Sequence, residues 1–452
     1  MTKARLDGLY MLLLGSVVFL LLGAALARTF SVPMVDFRVL YYPARCLVQH
    51  CDPYNEGEVL QVVQAEKDAR LLNSATIRNI LTRYMYPPTV FSFTVPFALL
   101  PWGPAHILWM TLLICVIIFA SFLIWDLGLD YLPTLSGFFV GFVLANSELL
   151  VITGNVAGIA ISLCVVAVWC FFRGRYVWAG ILCLAVGLVI KPHDTALIWL
   201  YFLLSGRANR KRALQTLFAT VVVSLPAVLW VWHVSPHWLQ ELHSNILAFA
   251  NHGDMNDPGL DSSGAHGIGM LVSLQAVIGI FWDDPRIYNP ASYLIFAPLL
   301  LAWVIITLRS RFSPSGAWLG IAAIAALSML PVYHRLQDTK LLLLTVPACA
   351  MLWARRGLAG WLALLVTASG FVLTGDLPWA VFLSLIHLLR LPTTGLTSEL
   401  LIGLQVLSTP LILLAMGIFY LWVYARHSLR ATTGSGTVEP SNETANSEET
   451  SL

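Results

Sequence analysis

Apolar residues run along the chain in long unbroken stretches separated by short polar joints, a spacing that predicts membrane-crossing helices rather than a soluble core. The first stretch, 8–27, is flanked by Lys3, Arg5 and Arg28 and shows no small-residue cleavage site, so it reads as an anchor. Further runs lie at 88–101, 105–125, 133–152, 156–172, 176–190, 193–205, 213–232, 292–308, 315–332, 340–354, 357–374, 378–389 and 399–424. A span needs roughly 20 apolar residues. Setting aside the short runs 88–101 and 378–389 leaves about twelve crossings, with both termini on one side.

Lys and Arg in short loops mark the cytoplasmic side. Arg173 and Arg175, the run Arg207, Arg210, Lys211 and Arg212, then Arg309 and Arg311, Arg355 and Arg356, and Arg426 and Arg430 all fall on the N-terminal side of this topology. The joint carrying Asp126 and Asp130 gives no such signal. Two long polar segments are left outside, about 28–87 and 233–291, and the first contains a stretch at 56–83 that reads as a helix lying on the membrane surface. The expected architecture is an all-α polytopic body over 1–430 with a disordered cytoplasmic tail at 431–452. On that tail the Asn442 sequon carries no weight.

Composition agrees with the pattern. Charged residues make up 11% of the 452 residues and hydrophobic ones 58%, where a soluble domain has roughly 25% charged. With 26 Lys plus Arg against 24 Asp plus Glu, nucleic acid has no electrostatic support as a partner. Of seven cysteines, five (Cys115, Cys164, Cys170, Cys183 and Cys349) lie in apolar runs as small core residues. Cys46 and Cys51 share an outer polar loop, where either a disulfide or two free thiols is compatible with the sequence.

The candidate chemistry gathers at the predicted outer boundary. Asp36 follows the first span and precedes Tyr41 and Tyr42, where a partly desolvated carboxylate suits a general base; the alternative is a solvated juxtamembrane acid beside an aromatic belt that includes Tyr86. Basic residues flank 176–205 on one side, so the chain must enter and return. Fifteen residues at about 1.5 Å rise reach roughly 22 Å of a roughly 30 Å core, which places the turn at Lys191-Pro192-His193. A lysine there needs an anion, a lipid-linked phosphate being the natural one, or else snorkels to the headgroups. His334 and Arg335 emerge on the same side, and both suit a phosphate; a lone histidine at a helix end is more often structural. Asn155 either binds a sugar or caps the next helix. His233, His237, His243, His252 and His266 with Asp254, Asp257 and Asp261 match no metal template, since Pro258 and Ala265 occupy positions where a calcium loop needs ligands. Walker, nucleophile-elbow, His-Glu-x-x-His and Rossmann patterns are missing from the sequence.

Taken in order, Asp36 with Tyr41, Tyr42, Ala44 and Pro53-Tyr54, then Tyr86-Pro87-Pro88 with Pro96 and Leu100-Pro101, then Gly154-Asn155, Lys191-Pro192 and His334 resemble the polyprenol-phosphate-mannose-dependent mannosyltransferases of glycosyltransferase family 87, also called DUF2029. The similarity spans roughly 8–425. It implies a GT-C fold and an inverting transfer of a hexose from a polyprenyl-phosphate sugar to an outer-face glycolipid or glycan in the plasma membrane. It also implies Asp36 as general base, Lys191 and His334 toward the donor phosphate, and neither cofactor nor metal. The chain departs from the family's pattern at His50-Cys51, where glycine is usual, and at Gly154-Asn155-Val156-Ala157, where Gly-Gln-x-Asn is common. The implied sugar is therefore a hexose, with mannose the family's own. The rival readings are a polyprenyl-lipid or sugar-lipid transporter, which usually has internal repeats and midplane ionisable groups, and an O-antigen-ligase-like transferase.

Overall fold

The computed structural model describes residues 2–30, 32–66, 71, 74–251, 254, 256–258, 271–388 and 396–433. It is an all-α membrane protein. Among the described residues there is no strand, and a single isolated bridge joins Leu271 to Arg335. Six helices are long and apolar enough to cross a membrane: Lys3–Ala27, Trp102–Gly128, Pro133–Thr153, Arg207–Val234, Pro285–Arg309 and Val406–Leu429. A seventh candidate is the pair Leu358–Leu373 and Asp376–Phe382, bent by 63° at its break. The run at 378–389 is thus the second limb of that pair. Shorter apolar helices Pro88–Ala98, Ala157–Arg173, Val177–Ile190 and Pro314–Leu327 fill the interior between the long ones.

The first helix packs on 133–144 with almost no side chain between them: a Cβ placed on Gly15 would lie 2.2 Å from the Gly141 carbonyl oxygen. Small residues allow such close approach where lipid offers no hydrophobic drive for association. The segment after this helix is itself folded, with helices Val35–Val48, Glu56–Ala65 and Ala75–Thr82. The stretch 56–83 is therefore two helices rather than one, the first capped by Asn55 and the second by Ser74. Cys46 and Cys51 form a disulfide across the turn that closes the Val35–Val48 helix.

The return at Lys191 is present. Val177–Ile190 ends where Lys191 takes an extended backbone (φ −148°, ψ 79°), and Pro192 starts the Pro192–Leu204 helix, its missing N–H harmless in a first turn. Both ends of this hairpin reach the same face, because Arg173, Ser205, Arg207, Arg212 and Trp318 line one cleft of about 480 Å³. We call this the basic end. The last helix continues to Thr433, while residues 434–452 lie outside the described residues.

Candidate active site

Two left-handed backbone positions build the first half of the site. Met34 adopts a left-handed conformation (φ 59°) ahead of the Val35–Val48 helix, its N–H held by the Ile152 carbonyl at 2.8 Å. Facing it, Gly154 (φ 66°) ends the Glu148–Thr153 helix, and a Cβ there would come within 3.0 Å of Met34 and Phe37. A non-glycine residue at Met34's backbone angles costs about 1–3 kcal/mol, and such strain clusters where function over-determines geometry. These turns bring together residues far apart in sequence: Asn155 Nδ2 donates to Asp36 Oδ2 at 2.7 Å. The same amide's Oδ1 accepts from the Ala157 N–H at 2.8 Å. Asn155 thus caps the next helix and orients Asp36 at once. Beneath the pair, Phe37 stacks on Trp109 with ring centroids 4.2 Å apart, and Trp109 donates to the Gly154 carbonyl at 3.0 Å.

The second half is a buried charge cluster. The Lys191 ammonium contacts Asp338 Oδ1 and lies 3.2 Å from Asp194 Oδ2, each of these side chains at most 6% exposed. Asp338 Oδ2 accepts from the Arg335 N–H at 2.8 Å and so begins the tight helical segment Leu336–Thr345. His334 is fully buried. Its Nδ1 faces the Val332 carbonyl at 3.0 Å and its Nε2 lies 3.4 Å from Asp194 Oδ1, an ion-pair contact when the imidazole is protonated. Burial alone would lower the basicity of His334, but the Asp194 carboxylate facing it at 3.4 Å, backed by Asp338, raises its pKa above the ordinary histidine value. The His193 ring meets that of His334 edge-on at 5.1 Å, with Nε2 3.9 Å from Asp194 Oδ1. Among the described residues His193 Nε2, His334 Nε2 and both Asp194 oxygens have no hydrogen-bond partner. Buried polar atoms are rarely left so.

Tyr86 links the halves. Burial pushes its hydroxyl above the usual phenol range, while Lys191 pulls it back and Asp36 pushes it further, so it lies in the field of both. Arg335 feels Asp36 and Asp338 and donates to Asn256 Oδ1 at 3.1 Å, which brings that residue of the 233–291 segment to the site.

Of the residues singled out from sequence, Asp36, Tyr86, Asn155, Lys191, His193, His334 and Arg335 share one end of the molecule. Tyr41 and Tyr42 are turned into packing: the Tyr41 hydroxyl donates to the Leu100 carbonyl at 2.8 Å and that of Tyr42 accepts from Arg38 at 2.8 Å. Asp338 has no signal in the sequence, whereas Asp194 closes the segment Lys191-Pro192-His193-Asp194 one helical turn from Lys191 and Asn256 lies in the Asp254–Gly259 stretch, neither being assigned a role from sequence. The lysine does not snorkel; its anions are the protein's own. His193, Asp194 and His334 offer three ligand atoms within 4.8 Å of one another, a spacing that could hold a metal ion, and two imidazoles with a carboxylate suit a divalent transition metal. His233, His237, His243, Asp254 and Asp257 join no such group among the described residues, and His252, Asp261 and His266 lie outside them.

A half-buried carboxylate held by an amide, at the same end of the molecule as two histidines whose Nε2 atoms make no hydrogen bond, is equipped to deprotonate one group while an anion is stabilised nearby. Comparison with known proteins agrees with that chemistry: the model for glycosyltransferase family 87 matches residues 84–330, more than half of the chain. No curated protein and no solved structure matches it. The chain belongs to glycosyltransferase family 87 and is a membrane glycosyltransferase.

Proposed function

We propose that this glycosyltransferase moves a hexose, mannose foremost, from a polyprenyl-phosphate sugar to a glycolipid or glycan acceptor, with inversion, at the outer face of the plasma membrane. The observation that carries the reading is the placement of an amide-held Asp36 and a buried Lys191–Asp194–Asp338–His334 cluster at one end, with Tyr86 in the electrostatic field of both.

In this reading Asp36 takes the proton of the acceptor hydroxyl as its oxygen attacks the anomeric carbon. The carbon–oxygen bond to phosphate breaks on the opposite face, and polyprenyl phosphate departs with the electron pair. A phosphate leaving group needs little acid assistance, so stabilising its charge in a water-poor site is the larger contribution. The Nε2 atoms of His334 and His193 meet the phosphate oxygens. Lys191, shared between two carboxylates, supplies positive field from behind them. No metal enters the step: an ammonium 3.2 Å from Asp194 disfavours a second cation on that carboxylate and favours an anion at the histidines.

The test is transfer of label from polyprenyl-phosphate-mannose into membrane glycolipids by the purified protein, with a chelator present and with Asp36→Asn alongside. Transfer by the wild type alone, undiminished by chelation, is expected. Loss on chelation would hand the His193, Asp194 and His334 trio to a metal, and failure with every polyprenyl-phosphate sugar and extracted acceptor would remove the donor assignment.

A further inference from the structure

The lipid-facing surface at the basic end carries a groove that the proposed reaction does not use. It runs between the Val177–Ile190 and Arg207–Val234 helices, encloses about 780 Å³, and is floored by Ile181, Leu214, Phe218, Ala219 and Val222. Arg207, Arg210 and Lys211 stand at its mouth beside Trp178, which is 67% exposed. Lys211 to Val223 spans about 18 Å at helical rise, close to one leaflet of a roughly 30 Å core.

Basic residues at this end are expected from orientation alone. Orientation does not explain why three of them ring an apolar trough one leaflet deep. Their charge is not neutralised by a described carboxylate: Arg173 nearby is paired with Asp126 at 3.0 Å and Asp130 at 2.8 Å, whereas Arg207, Arg210 and Lys211 form no ion pair among the described residues and Arg210 Nε donates only to the Leu203 carbonyl, at 3.2 Å. The missing counter-charge and the empty trough have one common solution in a molecule that is anionic at its head and apolar along its length.

The geometry points to a binding site for an anionic phospholipid of the leaflet opposite the proposed active site, one acyl chain along the groove and the phosphate among Arg207, Arg210 and Lys211. Basic pockets between membrane helices hold acidic headgroups by this arrangement. The site is independent of the transfer reaction and its test needs no activity.

Native mass spectrometry of the purified full chain, titrated with phosphatidylglycerol and separately with phosphatidylcholine, reads it directly. Phosphatidylglycerol should be retained in preference. Replacing Arg207, Arg210 and Lys211 with Gln should weaken it about fivefold per cation, roughly 100-fold together. Ala219→Trp, which fills the groove and leaves the charges, should displace it too, and Asp36→Asn should leave it bound. Equal retention of the two lipids, or full retention by the triple variant, overturns the proposal. So does retention by Ala219→Trp, which reduces the effect to surface charge. Polyprenyl phosphate replacing phosphatidylglycerol in the groove would overturn it as well, by assigning the trough to the donor.

Discussion

Two lysines lie on or against the segment Leu336–Thr345, both buried, both paired with aspartate, and they have opposite surroundings. Lys340 donates to the Asn146 carbonyl at 2.5 Å, the Thr374 carbonyl at 3.0 Å and Asp376 Oδ1 at 2.9 Å, and the other Asp376 oxygen accepts from the Leu149 N–H at 2.8 Å. Every proton of that ammonium has an acceptor. Around Lys191 the ammonium is met, but Asp194 touches it and the two histidines only through ion-pair contacts of 3.2–3.9 Å, and the facing His193, His334 and Asp194 atoms make no hydrogen bond. A saturated buried pair fastens helices together. An unsaturated one is arranged for something that arrives. Burial and charge alone therefore do not mark a site, and neither does open polar capacity by itself, since buried Glu148 near Lys340 and Asp376 also has two oxygens without a hydrogen bond; around Lys191 that capacity includes two histidines as well as a carboxylate.

Removing one partner of the saturated pair should have the largest energetic effect. Lys340→Met leaves Asp376 without its cation and should destabilise the protein by about 3–5 kcal/mol, seen as a lowered unfolding midpoint in detergent, while turnover per folded molecule is kept. Loss of turnover with unchanged stability would reverse the roles of the two lysines.

Asp36→Asn should show the converse, with turnover down by a factor of about 100 or more and the unfolding midpoint nearly unchanged. Near-normal turnover would exclude Asp36 from proton transfer.

A smaller and more specific effect belongs to His334. Its pKa in the folded protein is raised above the unfolded value, so the stabilising charge is fully present below the ordinary histidine pKa and is lost as pH rises through the raised one. Donor binding should weaken along that alkaline limb, and His334→Gln should flatten the limb. A limb that persists in the variant would point to another group.

The smallest change is expected at Tyr41. Tyr41→Phe loses one hydrogen bond to Leu100 and should cost about 1 kcal/mol of stability with no change in turnover. A clear fall in turnover would return Tyr41 to the site.

Much of this was legible from local sequence. Apolar runs located the helices but not the expected twelve crossings: six helices, or seven with the bent pair, are long and apolar enough to span, and the run 340–354 falls in the tight segment Leu336–Thr345 and the short helix Val346–Ala354. The turn at Lys191 followed from the shortness of its limb and from the arginines on either side. The basic residues assigned to one side do converge, as Arg173, Arg207 and Arg212 share a cleft and Arg311 lies beside His427. What local reading missed depends on pairs far apart in the chain. Asp338 meets Lys191 across 147 residues and Asn155 meets Asp36 across 119, and no periodicity encodes such partners. Tyr41 is ambiguous for the opposite reason: an aromatic near a candidate base looks alike in sequence whether it faces a ligand or packs under a tryptophan, and its ring lies 5.2 Å from that of Trp102.

The distance along the chain between Lys191 and Asp338 also sets an order of events during synthesis. Elongation at roughly 5–20 residues per second takes on the order of ten seconds to cover those 147 residues. Throughout that interval the hairpin has been made but the segment bearing Asp338 and His334 has not. Of the two carboxylates that hold Lys191 in the finished protein, Asp194, three residues along, is the one that already exists to accompany the ammonium into the bilayer.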